Sequence, residues 1–166
     1  TRLLEAEGIH VIHDRTAHDY LDYDNAYENS RKAVQAYLKE YPSIKLVLDI
    51  HRDALTNSDG SQVATSATVN GKPSAQLMYV SGSNASATHP NWQKNLSLIE
   101  KLHVVTEKNL PGVTRPINLR AKAYNQDMSV GSLLVEVGSA GNTHAEAMNA
   151  VPALAEAIIA LAWGAE

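Results

Sequence analysis

Two places in the chain combine residue types that can do chemistry. Asp49, His51 and Asp53 close the apolar run Lys45-Leu-Val-Leu-Asp-Ile-His51, and Glu136 is the lone acid inside Leu133-Leu-Val-Glu-Val137. A third group, His13-Asp14, follows Ile9 to Ile12. Ligands of an open α/β sheet bind outside the carboxyl ends of its strands, so polar residues that end apolar runs are the first suspects. Glu136 is the most informative, because an unpaired charge in a strand interior is costly unless a partner or a function holds it there. Two readings fit it: an Arg or Lys partner that serves structure alone, or a metal ion nearby. The neutral imidazole of His51 is a good zinc ligand, and an ion beside it supplies the cation that Glu136 needs. Taken alone, His51 equally fits a strand-end histidine bonded to backbone.

The other histidines are weaker candidates. His10 and His13 are three apart on an expected strand, so they face opposite sides and cannot chelate one ion from it. His10 reads as structural, His103 as a packed helix residue, and His89 and His144 as loop or cap residues; His18, next to Asp19 in a polar loop, stays open. Before the Glu136 strand, Arg120-Ala-Lys-Ala-Tyr-Asn-Gln-Asp127 reads either as a solvated loop or as a cleft wall, with Arg120 available to grip a carboxylate in two-point fashion. The serine-hydrolase elbow, the phosphate-binding loops and the His-Glu-x-x-His helix are all missing.

These residues need elements to position them. Thr1 to Glu7 with Gly8 reads as the last turns of a helix, so the chain is expected to start inside an element. A short strand is expected over Ile9 to His13 and an amphipathic helix from Asp24 to Tyr41, stopped by Pro42. Lys45 to His51 predicts a strand covered on both faces, as in a parallel sheet. Gln62 to Val69, the Asn70-Gly71 turn and Ser74 to Val80 predict an antiparallel hairpin at an edge. A second helix over Pro90 to Leu110 is expected to bury the stripe Trp92, Leu96, Ile99, His103 and Leu110. A short strand over Ile117 to Arg120, a buried strand over Ser132 to Val137, and a final helix opened by a capping box at Thr143-His-Ala-Glu146 and ending near Trp163 complete the set. The order of elements predicts α/β: a twisted, mostly parallel sheet flanked by helices, with a β-hairpin insertion, in one domain over residues 1–166.

Composition narrows the function further. The 166 residues include no cysteine, which excludes thiolate metal sites and cysteine nucleophiles and leaves histidine and carboxylate as metal ligands. A net charge of -4, with scattered basic residues, gives no footprint for nucleic acid. No window reaches the roughly 18 consecutive apolar residues of a membrane span, and no signal-peptide pattern opens the chain.

Asp49-Ile-His-Arg-Asp-Ala54, followed by Leu133-Leu-Val-Glu-Val-Gly138 and Asn142-Thr143, resembles the stage II sporulation protein P family. Gly8 to Asp14, Ala26 to Arg31, Ala75 to Gly82, Asn95 and Tyr124 to Asp127 extend the resemblance over nearly all of the chain. That family is placed with the zinc-dependent N-acetylmuramoyl-L-alanine amidases. The resemblance implies a zinc ion held by two histidines and a glutamate, with a further glutamate as catalytic base. On this mapping His51 is a metal ligand and Glu136 is the catalytic residue, while the other two ligands lie upstream of Thr1, on a strand and helix that the chain lacks. Weak or no zinc binding by these residues is the expectation, with His13 and His18 the next ligands to consider. Arg120 and Asn125 are the expected substrate anchors. The implied activity is hydrolysis of the amide between the lactyl group of muramic acid and L-alanine, with cleavage of stem-peptide cross-links as a further possibility. The implied setting is septal peptidoglycan on the outer face of the cytoplasmic membrane, in a membrane-anchored protein that works beside a glycan-cleaving sporulation protein and a membrane sporulation protein. A non-catalytic peptidoglycan-binding or scaffold domain is the alternative.

Overall fold

The computed structural model describes residues 1–20, 23–85 and 88–164. Four helices and six strands follow in the order α1 (Arg2–Ala6), α2 (Ala26–Glu40), β1 (Val47–Asp53), β2 (Ala67–Val69), β3 (Lys72–Ser74), β4 (Leu77–Gly82), α3 (Trp92–Asn109), β5 (Asn118–Arg120), β6 (Ser132–Ser139) and α4 (His144–Ala162). The larger sheet has the strand order β1-β6-β4-β5. β1 and β6 run parallel, as do β4 and β5, while β4 and β6 are antiparallel. The architecture is therefore the expected mixed α/β sheet, mostly parallel and flanked by helices.

The sheet's two faces are covered unequally. Leu77 and Tyr79 of β4 and Leu133, Val135 and Val137 of β6 pack with Ile99 and Leu102 of α3 and Ala150, Ala153, Leu154, Ala157 and Ile158 of α4. On the opposite face only Met78, Val80 and Leu134 form a buried cluster, with Tyr124 against it. This alternation follows from the two-residue period of a strand. α2 lies outside both clusters and buries no residue.

Several sequence expectations are corrected. Ile9 to His13 carries no strand, since no neighbour pairs with its backbone. β1 is a sheet edge instead of a strand covered on both faces, and Ile50 is 53% exposed. The hairpin pairs only Ala67–Val69 with Lys72–Ser74, around Asn70 (φ 51) and Gly71 (φ 74); the second half of the expected run is β4, which joins the core sheet instead of an edge. In α3 the buried residues are Asn95, Ile99, Leu102 and Thr106, a face offset from the expected stripe. The capping box at Thr143 forms as expected. α4 is long and apolar enough by mean hydropathy to cross a membrane, although it has no unbroken apolar run, and its buried residues belong to the core.

Candidate active site

The parallel register sets His51 directly beside Glu136. Past this pair two residues of β1 match three of β6, a bulge that falls where Gly138 takes φ +74. A Cβ on Gly138 would lie 2.7 Å from the Ala75 Cβ and 2.8 Å from Asn142 Oδ1, so the bulge requires glycine. Asn142 fixes the strand end from outside: its Oδ1 accepts from the Ser139 and Thr65 backbone N–H groups (2.9 and 3.0 Å), and its Nδ2 donates to the Thr65 carbonyl (2.8 Å).

On β1, Asp49 and His51 share one face, and His51 Nε2 lies 2.9 Å from Asp49 Oδ1. The Asp49 carboxylate raises the His51 pKa above its ordinary value, against the opposing effect of burial. Burial is the leading cause that lifts the Glu136 carboxyl above its ordinary range, with His51 pulling it back. Oε2 of Glu136 is buried without a hydrogen-bond partner. A weaker pull than that of His51 comes from Arg115, which sequence reasoning missed; its Nη1 is bound to Asp53 Oδ2 at 2.9 Å, and its Nε and Nη2 are buried and unpartnered. Among the described residues, then, no ion pair neutralises Glu136. No motif announces Arg115, because only tertiary structure brings it to the end of β1.

A cleft of about 450 Å³ opens between α2 and the loop of residues 122–127. The Tyr27 ring stacks on His51 (centroids 6.2 Å, 19° between planes) and stands 5.7 Å from Tyr124, so the cleft adjoins the His51 and Glu136 pair. Burial, and after it Asp49, drives the Tyr27 hydroxyl above its ordinary pKa. Tyr124 (φ 49) and Asn125 (φ 58) both occupy the left-handed region, which costs a residue with a Cβ roughly 1–2 kcal/mol. Buried bonds hold the loop there. Gln126 takes the Gly82 N–H on Oε1 and donates to the Val80 carbonyl, both at 2.9 Å. Asn95, fully buried, points its amide at the carbonyls of Gln126, Ser129 and Ser132 (2.9, 3.1 and 3.0 Å).

The two expected anchors sit differently. Asn125 lines the cleft, but its amide is engaged internally: Nδ2 donates to the Tyr27 carbonyl (2.8 Å) and Ser30 Oγ (3.1 Å), and Oδ1 accepts from Arg31 (3.3 Å). Arg120 ends β5, is exposed, and does not line this cleft. Of the other histidines, His18 pairs with Asp14 at 3.5 Å, His13 is exposed, and His103 meets Thr114 Oγ1 at 3.1 Å. His89 lies in the loop just before α3, as expected, and is buried there.

The Asp49 and His51 pair has the carboxylate–imidazole form that orients metal-bound histidines. Even so, no group of three His, Asp or Glu side chains able to hold a metal occurs among the described residues. By themselves these residues do not fit a zinc ion.

Comparison with known proteins places the chain. It is 29% identical to Stage II sporulation protein P of Bacillus subtilis (strain 168), over 98% of the chain and 41% of that protein, so it spans about two fifths of its curated relative. No solved structure matches the chain. The family described as Stage II sporulation protein P (SpoIIP) matches residues 1–159, which takes in both strand ends, the bulge and the cleft. On that match the chain belongs to the stage II sporulation protein P family.

Proposed function

We propose that this chain is the catalytic part of a peptidoglycan hydrolase that remodels cell wall during sporulation, and that it acts as an N-acetylmuramoyl-L-alanine amidase. The observation that carries the reading is the buried, unbonded Oε2 of Glu136 beside His51 at the ends of two parallel strands. Membership in the sporulation protein family supports the setting. A carboxyl whose pKa burial has raised is suited to general base work near neutral pH. In the proposed step water attacks the carbonyl carbon of the lactyl amide while Glu136 accepts its proton. The C–N bond then breaks, and Glu136 returns the proton to the departing amine of L-alanine. The same step on a peptide bond gives stem-peptide endopeptidase activity.

Zinc belongs to this proposal only through ligands supplied from outside the described residues, with His51 as the one ligand in place, and no step here is routed through it. The proposed setting is the outer face of the membrane at the sporulation septum, in an anchored protein, next to a glycan-cleaving sporulation protein and a membrane sporulation protein. Purified cell-wall sacculi incubated with the intact protein should release stem peptides. Glu136→Ala should lower that release by about 10²- to 10⁴-fold, the usual worth of a general base; a fully active variant rejects the assignment. One observation favours a second reading as a non-catalytic peptidoglycan-binding or scaffold module: the described residues assemble no metal site. A wild-type protein that binds sacculi and releases nothing would support that module.

A further inference from the structure

Resting on the amidase reading, we propose that the cleft between α2 and residues 122–127 docks a short acidic peptide, the stem-peptide side of the substrate, and that Tyr124 and Lys122 touch it while Asn125 does not. The first support is the backbone. Two consecutive non-glycine residues hold left-handed conformations at Tyr124 and Asn125, and such strain persists only where the surroundings over-determine it, typically at ligand clamps. Asn125 can serve as the tether, since asparagine tolerates this conformation and its amide is bound to α2. Tyrosine has no such excuse. The conformation packs Tyr124 against Met78, Val80 and Leu134 and also places its ring in the cleft wall, 5.7 Å from Tyr27, which stacks on His51.

The second support is charge. Arg31 is neutralised by a two-point bond to Asp127, at 2.9 and 2.6 Å. Lys122 lines the same cleft, is exposed, and has no ion pair among the described residues. The cleft thus offers two phenol faces for the apolar side of a peptide and one unspent cation for a carboxylate. That combination suits a short peptide with a free carboxylate better than a neutral sugar, for which Lys122 has no use.

The test is equilibrium binding, by calorimetry, of a stem tripeptide beginning L-alanyl-γ-D-glutamyl to the intact protein. Its carboxyl-amidated form and the peptide-free disaccharide of the glycan strand are the other two probes. Tyr124→Ala should weaken tripeptide binding on the order of 10-fold, whereas Tyr124→Phe should keep it. Lys122→Met, an exposed change that leaves the core untouched, should weaken tripeptide binding by roughly 3- to 5-fold and leave the amidated form unaffected. Wild-type affinity in both Tyr124→Ala and Lys122→Met overturns the proposal, and so does displacement of the tripeptide by the disaccharide alone. Release of stem peptides from sacculi is scored separately. Release combined with unaltered binding in the variants sinks the cleft and spares the amidase reading; altered binding without release does the reverse.

Discussion

Glu136 has one carboxylate oxygen buried and unbonded. An ionised group in that position lowers stability, because no hydrogen bond replaces the hydration lost by that oxygen and the pull of His51 offsets only part of the loss. The direction of the pH effect follows from linkage. Burial raises the Glu136 pKa in the folded state, so between the ordinary value of 4.5 and the raised one the native protein holds more protons than the unfolded chain. Stability contributed by this residue therefore falls as pH rises through that window. Glu136→Gln, which removes the charge and keeps the shape, should stabilise the protein at pH 7 by about 1 kcal/mol. The gain should shrink toward zero as pH drops below 4.5, where Glu136 is protonated in both states. Denaturant melts at pH 7 and pH 4 read this directly, and an equal effect at both values, or a loss at pH 7, contradicts an unpaired buried carboxylate. If Glu136 is the base proposed above, the change that removes it is thus expected to firm the fold, a trade common at active sites.

α2 shows how an element without a buried face is kept in place. Its attachment runs through the Arg31 fork onto Asp127 and the Asn125 amide onto the Tyr27 carbonyl. Asp127→Asn should cost about 1–2 kcal/mol and speed amide hydrogen exchange across α2 relative to α3. Arg31 holds the Asp127 carboxyl below its ordinary pKa, so the bridge contributes fully above 3.8 and is lost as pH falls through the lower folded value. Exchange in α2 that matches wild type at pH 7 counts against the tether. The helices and the two strands β1 and β6 were legible because apolar periodicity records them. The true buried face of α3 was not, since Asn95 and Thr106 are polar and become core residues only through partners elsewhere: the carbonyls of Gln126, Ser129 and Ser132 for Asn95, and the Tyr79 hydroxyl at 2.9 Å for Thr106. For the site the division is similar. His51 and Glu136 betray themselves by interrupting apolar runs, whereas Arg115 and Tyr27 sit in ordinary polar or amphipathic sequence and gain meaning from contacts that span much of the chain.

Over the whole molecule the burial is lopsided: α3 and α4 seal one face of the sheet, and the face bearing His51 and Glu136 is left to α2 and the 122–127 loop. α4 has the length and composition of a membrane span, but the structure uses it as the main cover of the core. Leu154→Ala should accordingly destabilise the protein by about 2–4 kcal/mol in denaturant melts, the cost of a cavity in a packed interior; an effect below about 0.5 kcal/mol, typical of surface positions, would deny α4 that role. The parallel pairing of β1 with β6 has a kinetic corollary. His51 and Glu136 are neighbours in space but about 85 residues apart along the chain. Contacts of such long range come late, because the entropy of closing the loop is spent before the contact returns anything. Local pieces such as α3, α4 and the Asn70-Gly71 turn can form early, whereas the His51 and Glu136 pair exists only once the sheet has closed, so a newly made chain lacks the proposed site until its folding is nearly finished.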